Sequence, residues 1–446
     1  MCLNLNIEEA TTMRLIDEIL EKNNLVKAYN QVVSNKGSGG IDGVTVDGLR
    51  EYLNQNWAQI KEDIYAKKYK PQPVKRVYIP KGKDSKRPLG IPTAMDRVIQ
   101  QAISQKFQDI YEPKFSESSY GFRPGRSCHM AINKVVEYLN EGYEWIIDLD
   151  IEKFFDRVNH DKLVQVLRLE VNDSTTLNLI SKYLKAGVME KGIFGKTDIG
   201  TPQGGPISPI LSNILLDEFD KEMEKRGRLF VRYADDVNLF VRSEKAADRV
   251  IKSVVSWLER KLFLKVNATK TKIVRPTQNK FLGFGFWKGK DGWKPKPHND
   301  SKKKLKRKIN TITCRRRAAA IPLAVTFLKL NQVIRGWINY FKIGSMKTFI
   351  KEFGGWLRHK VRVIILKQWK KAPTIIRNLR NISYKVKLNF KEEDFYKVGN
   401  SKYGPYKRAS MNVCNFILSP KVLETPNKKD NRQGLLNPFN YYLSRI

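Results

Sequence analysis

Phe230-Val-Arg-Tyr-Ala-Asp-Asp-Val-Asn-Leu-Phe240 sets two adjacent aspartates, Asp235 and Asp236, between apolar runs. Phe230, Val231 and Tyr233 precede the pair; Val237, Leu239 and Phe240 follow it. The pattern predicts two short strands folded back on each other, with the acids at the tip. Asp is a good turn residue, so a polar hairpin turn is the plain reading. The alternative is chemical. Adjacent carboxylates repel, a divalent cation removes that repulsion, and two cations can run an in-line phosphoryl displacement.

A third carboxylate stands upstream, in Trp145-Ile-Ile-Asp-Leu-Asp-Ile-Glu-Lys-Phe-Phe-Asp156. The segment begins as a strand whose residues Ile146, Asp148 and Asp150 share a face. A charge at the end of a buried apolar strand is costly unless paired. The plain reading is an acid capping the helix expected to start near Asp156 or Asn159, and Asp156 suits it better than Asp150. One Asp from this strand and one or two from the hairpin suffice for Mg²⁺, which takes few protein carboxylates and completes its shell with water and phosphate. No His or Cys cluster surrounds either segment, which argues against zinc or iron.

At these residues the chain resembles reverse transcriptases. Tyr233-Ala-Asp-Asp236 resembles their metal-binding box, Asp150-Ile-Glu-Lys-Phe-Phe-Asp156 the preceding one, Gly200-Thr-Pro-Gln-Gly-Gly-Pro-Ile-Ser-Pro209 the one between, and Phe281-Leu-Gly-Phe-Gly-Phe286 the strand pair that holds a primer end. Tyr120-Gly-Phe-Arg-Pro-Gly-Arg126, Arg87-Pro-Leu-Gly-Ile-Pro92 and Arg335-Gly-Trp-Ile-Asn-Tyr-Phe341 are similar to bacterial group II intron proteins, most of all the short class C type. The resemblance implies an α+β right-hand polymerase: fingers, a palm with an antiparallel sheet, a helical thumb and a small C-terminal accessory domain. It implies two Mg²⁺ ions, with Mn²⁺ able to substitute, held by Asp150, the Ile151 carbonyl, Asp235 and Asp236. Lys81 and Arg87 would clamp the triphosphate, Gln203 would touch the incoming nucleotide, Phe155 would exclude a ribose 2′ hydroxyl, and Lys270 resembles a proposed general acid for pyrophosphate. The implied partners are a group II intron RNA, an RNA template with a DNA primer, deoxynucleoside triphosphates and a DNA target, in a cytoplasmic, nucleoid-associated ribonucleoprotein. A splicing-only maturase and a defence-associated reverse transcriptase remain the alternatives. Beyond residue 300 only Cys314, Cys414 and His359 occur, without the paired ligands an endonuclease domain needs.

Composition bounds the rest. With 446 residues the chain is long enough for two to four domains, and no apolar run reaches 18 residues, so no membrane span is expected. Residues 1–9 lack the basic start and apolar stretch of a secretory signal, so none is expected, and Cys2, Cys128, Cys314 and Cys414 have no pair spacing, as expected for reduced thiols in the cytosol. Net charge is +38, an excess that self-repels unless a polyanion is the partner. Residues 301–380 hold 22 Lys or Arg and one acid, Glu352, for a net +21. Lys302, Lys303, Lys304, Arg315, Arg316 and Arg317 are therefore candidate RNA contacts, joined upstream by Arg123 and Arg126.

Along the chain, residues 1–30 read as a helical extension with Met13, Leu15, Ile16, Ile19 and Leu20 on its apolar face. Fingers are expected over 31–142 with part of 160–200, the palm over 143–295, the thumb over 296–378, and a nucleic-acid-binding accessory region over 379–446. Val74–Pro80 reads as a strand and Lys81–Arg87 as a basic turn. Helices are expected near 95–110, 128–140, 160–185, 208–225 and 245–262. Leu330, Ile334, Trp337, Ile338 and Phe341 form a helical core stripe. Residues 380–446 read as short strands mixed with Asn, Lys, Gly and Pro turns.

Overall fold

The structure, a computed structural model, describes residues 13–80, 86–190, 192–196, 199–200, 204–314, 318–427 and 431–446. The chain divides into two compact units, Met1–Arg275 and Pro276–Ile446.

Among the described residues, the first unit holds two sheets. One contains β1 (Val74–Pro80), β2 (Lys86–Ile91), β4 (Val188–Glu190) and β5 (Ile193–Gly195), in the order β2-β1-β4-β5. The other contains β3 (Trp145–Asp150), β6 (Leu229–Tyr233), β7 (Asp236–Val241) and β8 (Lys272–Val274), in the order β6-β7-β3-β8, and is antiparallel throughout. Helix Glu244–Trp257 packs on β3, β7 and β8, and helix Ser208–Lys225 packs on β6. The core between them joins Ile147, Leu149, Val237 and Leu239 to Leu211, Leu215, Phe219, Val250 and Val254. Antiparallel hairpins packed against helices make this the α+β architecture that the resemblance implied.

Local chemistry sets the boundaries. Thr93, Ser127 and Ser243 each cap the helix that follows, their hydroxyls accepting a first-turn N–H. Asn159, not Asp156, caps helix His160–Leu167, its side chain accepting from Lys162 N at 2.8 Å; Asp156 sits inside the one-turn helix Phe154–Arg157. At the N-terminus, Ile16, Ile19 and Leu20 are buried as expected, while Met13 is 60% exposed and lies ahead of helix Leu15–Ile19. Arg87 belongs to β2, opposite Ile79, and not to a turn; the ladder continues to Lys86↔Pro80 because the alternating residues on both sides carry the pairing outward.

In the second unit a short 3-10 turn, Pro276–Gln278, precedes hairpin β9 (Phe284–Gly289) and β10 (Gly292–Pro297). Helices Asn299–Ile312, Leu323–Phe341, Lys347–Trp369 and Ala372–Lys385 follow. Leu330, Ile334, Ile338 and Phe341 are buried as the stripe predicts, with Trp337 half-buried among Phe341 and Phe349. The expectation of short strands over 380–446 is corrected: the described residues there form helices Glu392–Gly399, Pro405–Arg408, Asn412–Ile417, Pro420–Glu424 and Pro438–Leu443. Phe395, Val398, Ala409, Cys414 and Ile417 close one core with Val363, Leu366, Ile375, Ile376 and Leu379. Burial against those long helices, not local strand preference, decides the state of this segment. No described helix is long and apolar enough to cross a membrane.

Candidate active site

The acid hairpin closes as its sequence predicts. Tyr233 pairs with Asp236 across a two-residue turn of Ala234 and Asp235. Ala234 takes φ +57°, the left-handed conformation that the first position of such a tight hairpin demands. In the neighbouring ladder Asp150 lies directly opposite Asp236. The three acids therefore meet at one end of the sheet. Asp148 lies two residues back on β3, accepting a hydrogen bond from Asn238 Nδ2 at 3.0 Å.

The clustering has an electrostatic signature. The Asp236 carboxyl is pushed up to about 6, first by desolvation and then by the like charges of Asp235, Asp148 and Asp150. Lys270 supplies a cation: its Nζ lies 3.4 Å from both carboxylate oxygens of Asp150. The Asn267–Lys270 loop is tied to the strand end, since Asn267 N donates to the Asp150 carbonyl at 2.8 Å and Asp150 N donates to Thr271 Oγ1 at 3.1 Å. Ile151 continues β3 through a bridge to Val266 and is 5% exposed.

The donors are all oxygen, the set a hard divalent cation prefers. Among the described residues no three His, Cys, Asp or Glu side chains already form a metal cage.

Beside the acids, the paired phenylalanines diverge. Phe154 is 2% exposed and joins the core, whereas Phe155 is half-buried, its ring 5.3 Å from that of Phe154. Gly200 presses on this helix. A Cβ there would fall 2.9 Å from backbone atoms of Phe155 and Asp156, and its own φ of +92° favours glycine. His160 Nε2 bonds the Gly200 carbonyl at 2.6 Å. Four residues on, a Cβ at Gly204 would fall 2.6 Å from the Gly90 carbonyl of β2. Gly200 thus lies against the helix carrying Phe155, and Gly204 against the strand carrying Arg87. Lys81 and Gln203 lie outside the described residues.

Of the expected nucleic-acid contacts, Arg123 is corrected. Its guanidinium is buried, donating to Glu112, to the Ser116 carbonyl at 2.6 Å and to the Ser119 carbonyl at 2.9 Å. Its charge is consumed internally, holding the turn around Tyr120. Arg126 ion-pairs with Glu117 and lies 5.7 Å from the Tyr120 ring centroid. Lys302 is half-buried, its Nζ 5.2 Å from the Phe349 ring centroid, and burial with the nearby Lys296 charge lowers its pKa. Lys303 and Lys304 are exposed, and Lys306, Arg307 and Lys308 extend that face of helix Asn299–Ile312 opposite buried Ser301, Leu305 and Ile309. Arg315, Arg316 and Arg317 lie outside the described residues. Sequence reasoning missed two features: fully buried Arg232, and Gly121, where a Cβ would fall 2.3 Å from Ala234 N at the acid turn. An arginine inside an apolar strand is a signal it could have used.

A family model for reverse transcriptase (RNA-dependent DNA polymerase) matches residues 79–286, and one for the group II intron maturase-specific domain matches residues 302–382. Protein YkfC of Escherichia coli (strain K12) is 35% identical over 300 residues, 58% of this chain and 79% of that protein. The group II intron-encoded protein LtrA of Lactococcus lactis subsp. cremoris is 43% identical over 222 residues, 48% of this chain and 36% of LtrA. The putative COX1/OXI3 intron 2 protein of Saccharomyces cerevisiae is 26% identical across 99% of this chain and 60% of its own length. The chain is thus similar to well under half of LtrA and to most of YkfC.

Proposed function

The chain belongs to the group II intron-encoded reverse transcriptase/maturase family, and from that premise we infer that its acid cluster extends a DNA primer on an RNA template while its basic helical unit grips the intron RNA. The observation that carries the polymerase reading is the register Asp150↔Asp236 with Asp235 at the adjoining turn.

Asp150, Asp235 and Asp236, with the Ile151 carbonyl, would hold two Mg²⁺ ions. When bound, such ions lower the pKa of a primer 3′ hydroxyl and stabilise the triphosphate and its leaving oxygen. The reaction joins the 3′ oxygen to the α-phosphorus of a deoxynucleotide and breaks its bond to the pyrophosphate oxygen. Lys270, whose Nζ lies 3.4 Å from both Asp150 carboxylate oxygens, would give a proton to pyrophosphate. Arg87, with Lys81, would neutralise the triphosphate, and Gln203 would orient the base. Phe155 would lie under the sugar, where a rigid ring leaves no space for a 2′ hydroxyl.

In this reading residues 31–142 serve as fingers, the acid-bearing sheet as palm, and the helices beyond 296 as thumb and maturase domain. Splicing help rests on the match over 302–382 and on the +21 charge of residues 301–380. The partners would be the intron RNA, a primed RNA template and a DNA target, met in the cytoplasm as a ribonucleoprotein. Primer extension with Asp235→Ala tests the chemistry. Extension should fall by several orders of magnitude with the fold intact, since the site would lose an ion-holding carboxylate. Undiminished synthesis would sink the assignment.

A further inference from the structure

The acid turn is held from behind by a network that the chemistry above does not use. Arg232 precedes Tyr233 on β6, and its side chain is 0% exposed. Its Nε donates to Asp220 Oδ1 at 2.8 Å and to Oδ2 at 2.9 Å, and Nη2 also donates to Asp220. Nη1 is shared between Asn213 Oδ1 and the carbonyl of Ala234, each at 3.1 Å. Asn213 and Asp220 both come from helix Ser208–Lys225. Asn213 Nδ2 donates in turn to the Gly121 carbonyl at 2.9 Å. Gly121 lies against the turn so closely that a Cβ would fall 2.3 Å from Ala234 N.

The Ala234 carbonyl is one end of the peptide whose other end is Asp235 N. Fixing that plane fixes the direction in which the Asp235 Cα leaves the turn. The conformation needs fixing, because a left-handed alanine costs ~1–2 kcal/mol relative to its ordinary conformations. Stability alone does not account for the arginine. A buried ion pair is often replaced by apolar residues without loss, whereas a planar fork is the side chain that can hold a carboxylate, an amide and a carbonyl at once. Asp220 is equally enclosed, and its burial raises its carboxyl above the ordinary range against the pull of Arg232.

We propose that Arg232 is a positioning residue, backed by Asp220 and Asn213, that locks the Ala234–Asp235 peptide and so aims the Asp235 carboxylate. This rests on the reading of Asp235 as an ion-holding acid. Arg232→Lys keeps a cation for Asp220 but cannot form the fork. Asn213→Ala leaves the Arg232–Asp220 pair in place and removes the link to Gly121.

Both variants are compared with the native chain by thermal melting, binding to primed template, amide hydrogen exchange of residues 230–240 in metal-free protein, and primer extension. The expected result is native melting and binding, faster exchange confined to the hairpin, and a kcat reduced about 10- to 100-fold with little change in nucleotide KM, the usual consequence of a reacting group misplaced by about an ångström. A folded Arg232→Lys protein with native hairpin exchange and native kcat overturns the proposal. If that variant does not fold, Asn213→Ala decides by the same criteria, and failure of both to fold assigns the network to structure and also overturns it. Asp235→Ala is the separating arm. Its loss of extension beside a native Arg232→Lys removes the positioning role alone, whereas native extension in Asp235→Ala removes the underlying reading of the acid.

Discussion

Single side chains at the acid cluster carry opposing demands. Asp236 is the plainest case. Its carboxyl sits at about 6 in the folded chain against an ordinary value of 3.8. Between those values the folded state binds more protons than the unfolded one, so this group's contribution to stability falls as pH rises through about 4 to 6. A divalent cation that pairs with the ionised cluster reverses the loss. The stabilisation conferred by Mg²⁺, read as a thermal shift, is therefore expected to grow from pH 5 to pH 7, and Asp236→Asn should lose most of that growth. An Mg²⁺ shift independent of pH in the native chain contradicts this account. The two phenylalanines divide in another way. Phe154→Ala should destabilise by ~3–5 kcal/mol, because it empties a core site. Phe155→Ala should leave the melt nearly native while raising ribonucleotide incorporation in a primer-extension assay; unchanged discrimination would make its ring only packing.

Elements turn these residues into a site, and here the limits of reading from sequence are physical. The acid hairpin was legible because period-two apolar runs and a two-residue turn are local signals. Asp150 opposite Asp236 was not readable as a register, since it depends on strands far apart in the chain. Arg123 was read as a nucleic-acid contact for a different reason: its positive charge is visible in the sequence, but its nearby internal partners Glu112, Ser116 and Ser119 appear only when the turn folds. Helix content beyond residue 380 was hidden because the apolar positions pack against helices contributed from earlier in the chain. Gly121 belongs at this scale as well. Its close approach is to backbone, which cannot move aside, so Gly121→Ala should shift the turn and reduce primer extension more than it lowers the melting temperature. The reverse order of effects would argue that the turn tolerates displacement. On helix Asn299–Ile312, Lys303, Lys304, Arg307 and Lys308 share the exposed face. Neutralising all four should flatten the salt dependence of intron RNA binding by roughly three units of log–log slope, at under one per phosphate released. Asp235→Ala should leave that slope as it is. An unaltered slope in the neutralised chain would mean that the face meets only solvent.

Across the whole molecule the C-terminal segment is stitched into the second unit. Asn331 Nδ2 donates to the Gly434 carbonyl at 2.8 Å, Leu436 N donates to Asn331 Oδ1 at 2.8 Å, and the Tyr442 hydroxyl donates to the Gly344 carbonyl at 3.1 Å. Leu435 and Tyr442 are buried there. Truncation after Asn427 should therefore expose apolar surface on helices Leu323–Phe341 and Lys347–Trp369, lower the melting temperature and increase proteolysis within them. A truncated chain as protease-resistant as the native one would show the segment to be dispensable for the fold. The basic face of helix Asn299–Ile312 has a further consequence, in the economy of the cell. Crowded like charges strain a protein that stands alone and relax once a polyanion covers them. A bound RNA also draws the chain toward its folded form by mass action. Copies made in excess of their RNA would then be the first cleared by proteases, and the amount of protein would follow the amount of transcript without any dedicated regulator. Pulse-chase lifetimes measured with and without co-expressed intron RNA test this: equal half-lives would show that the charge leaves turnover untouched.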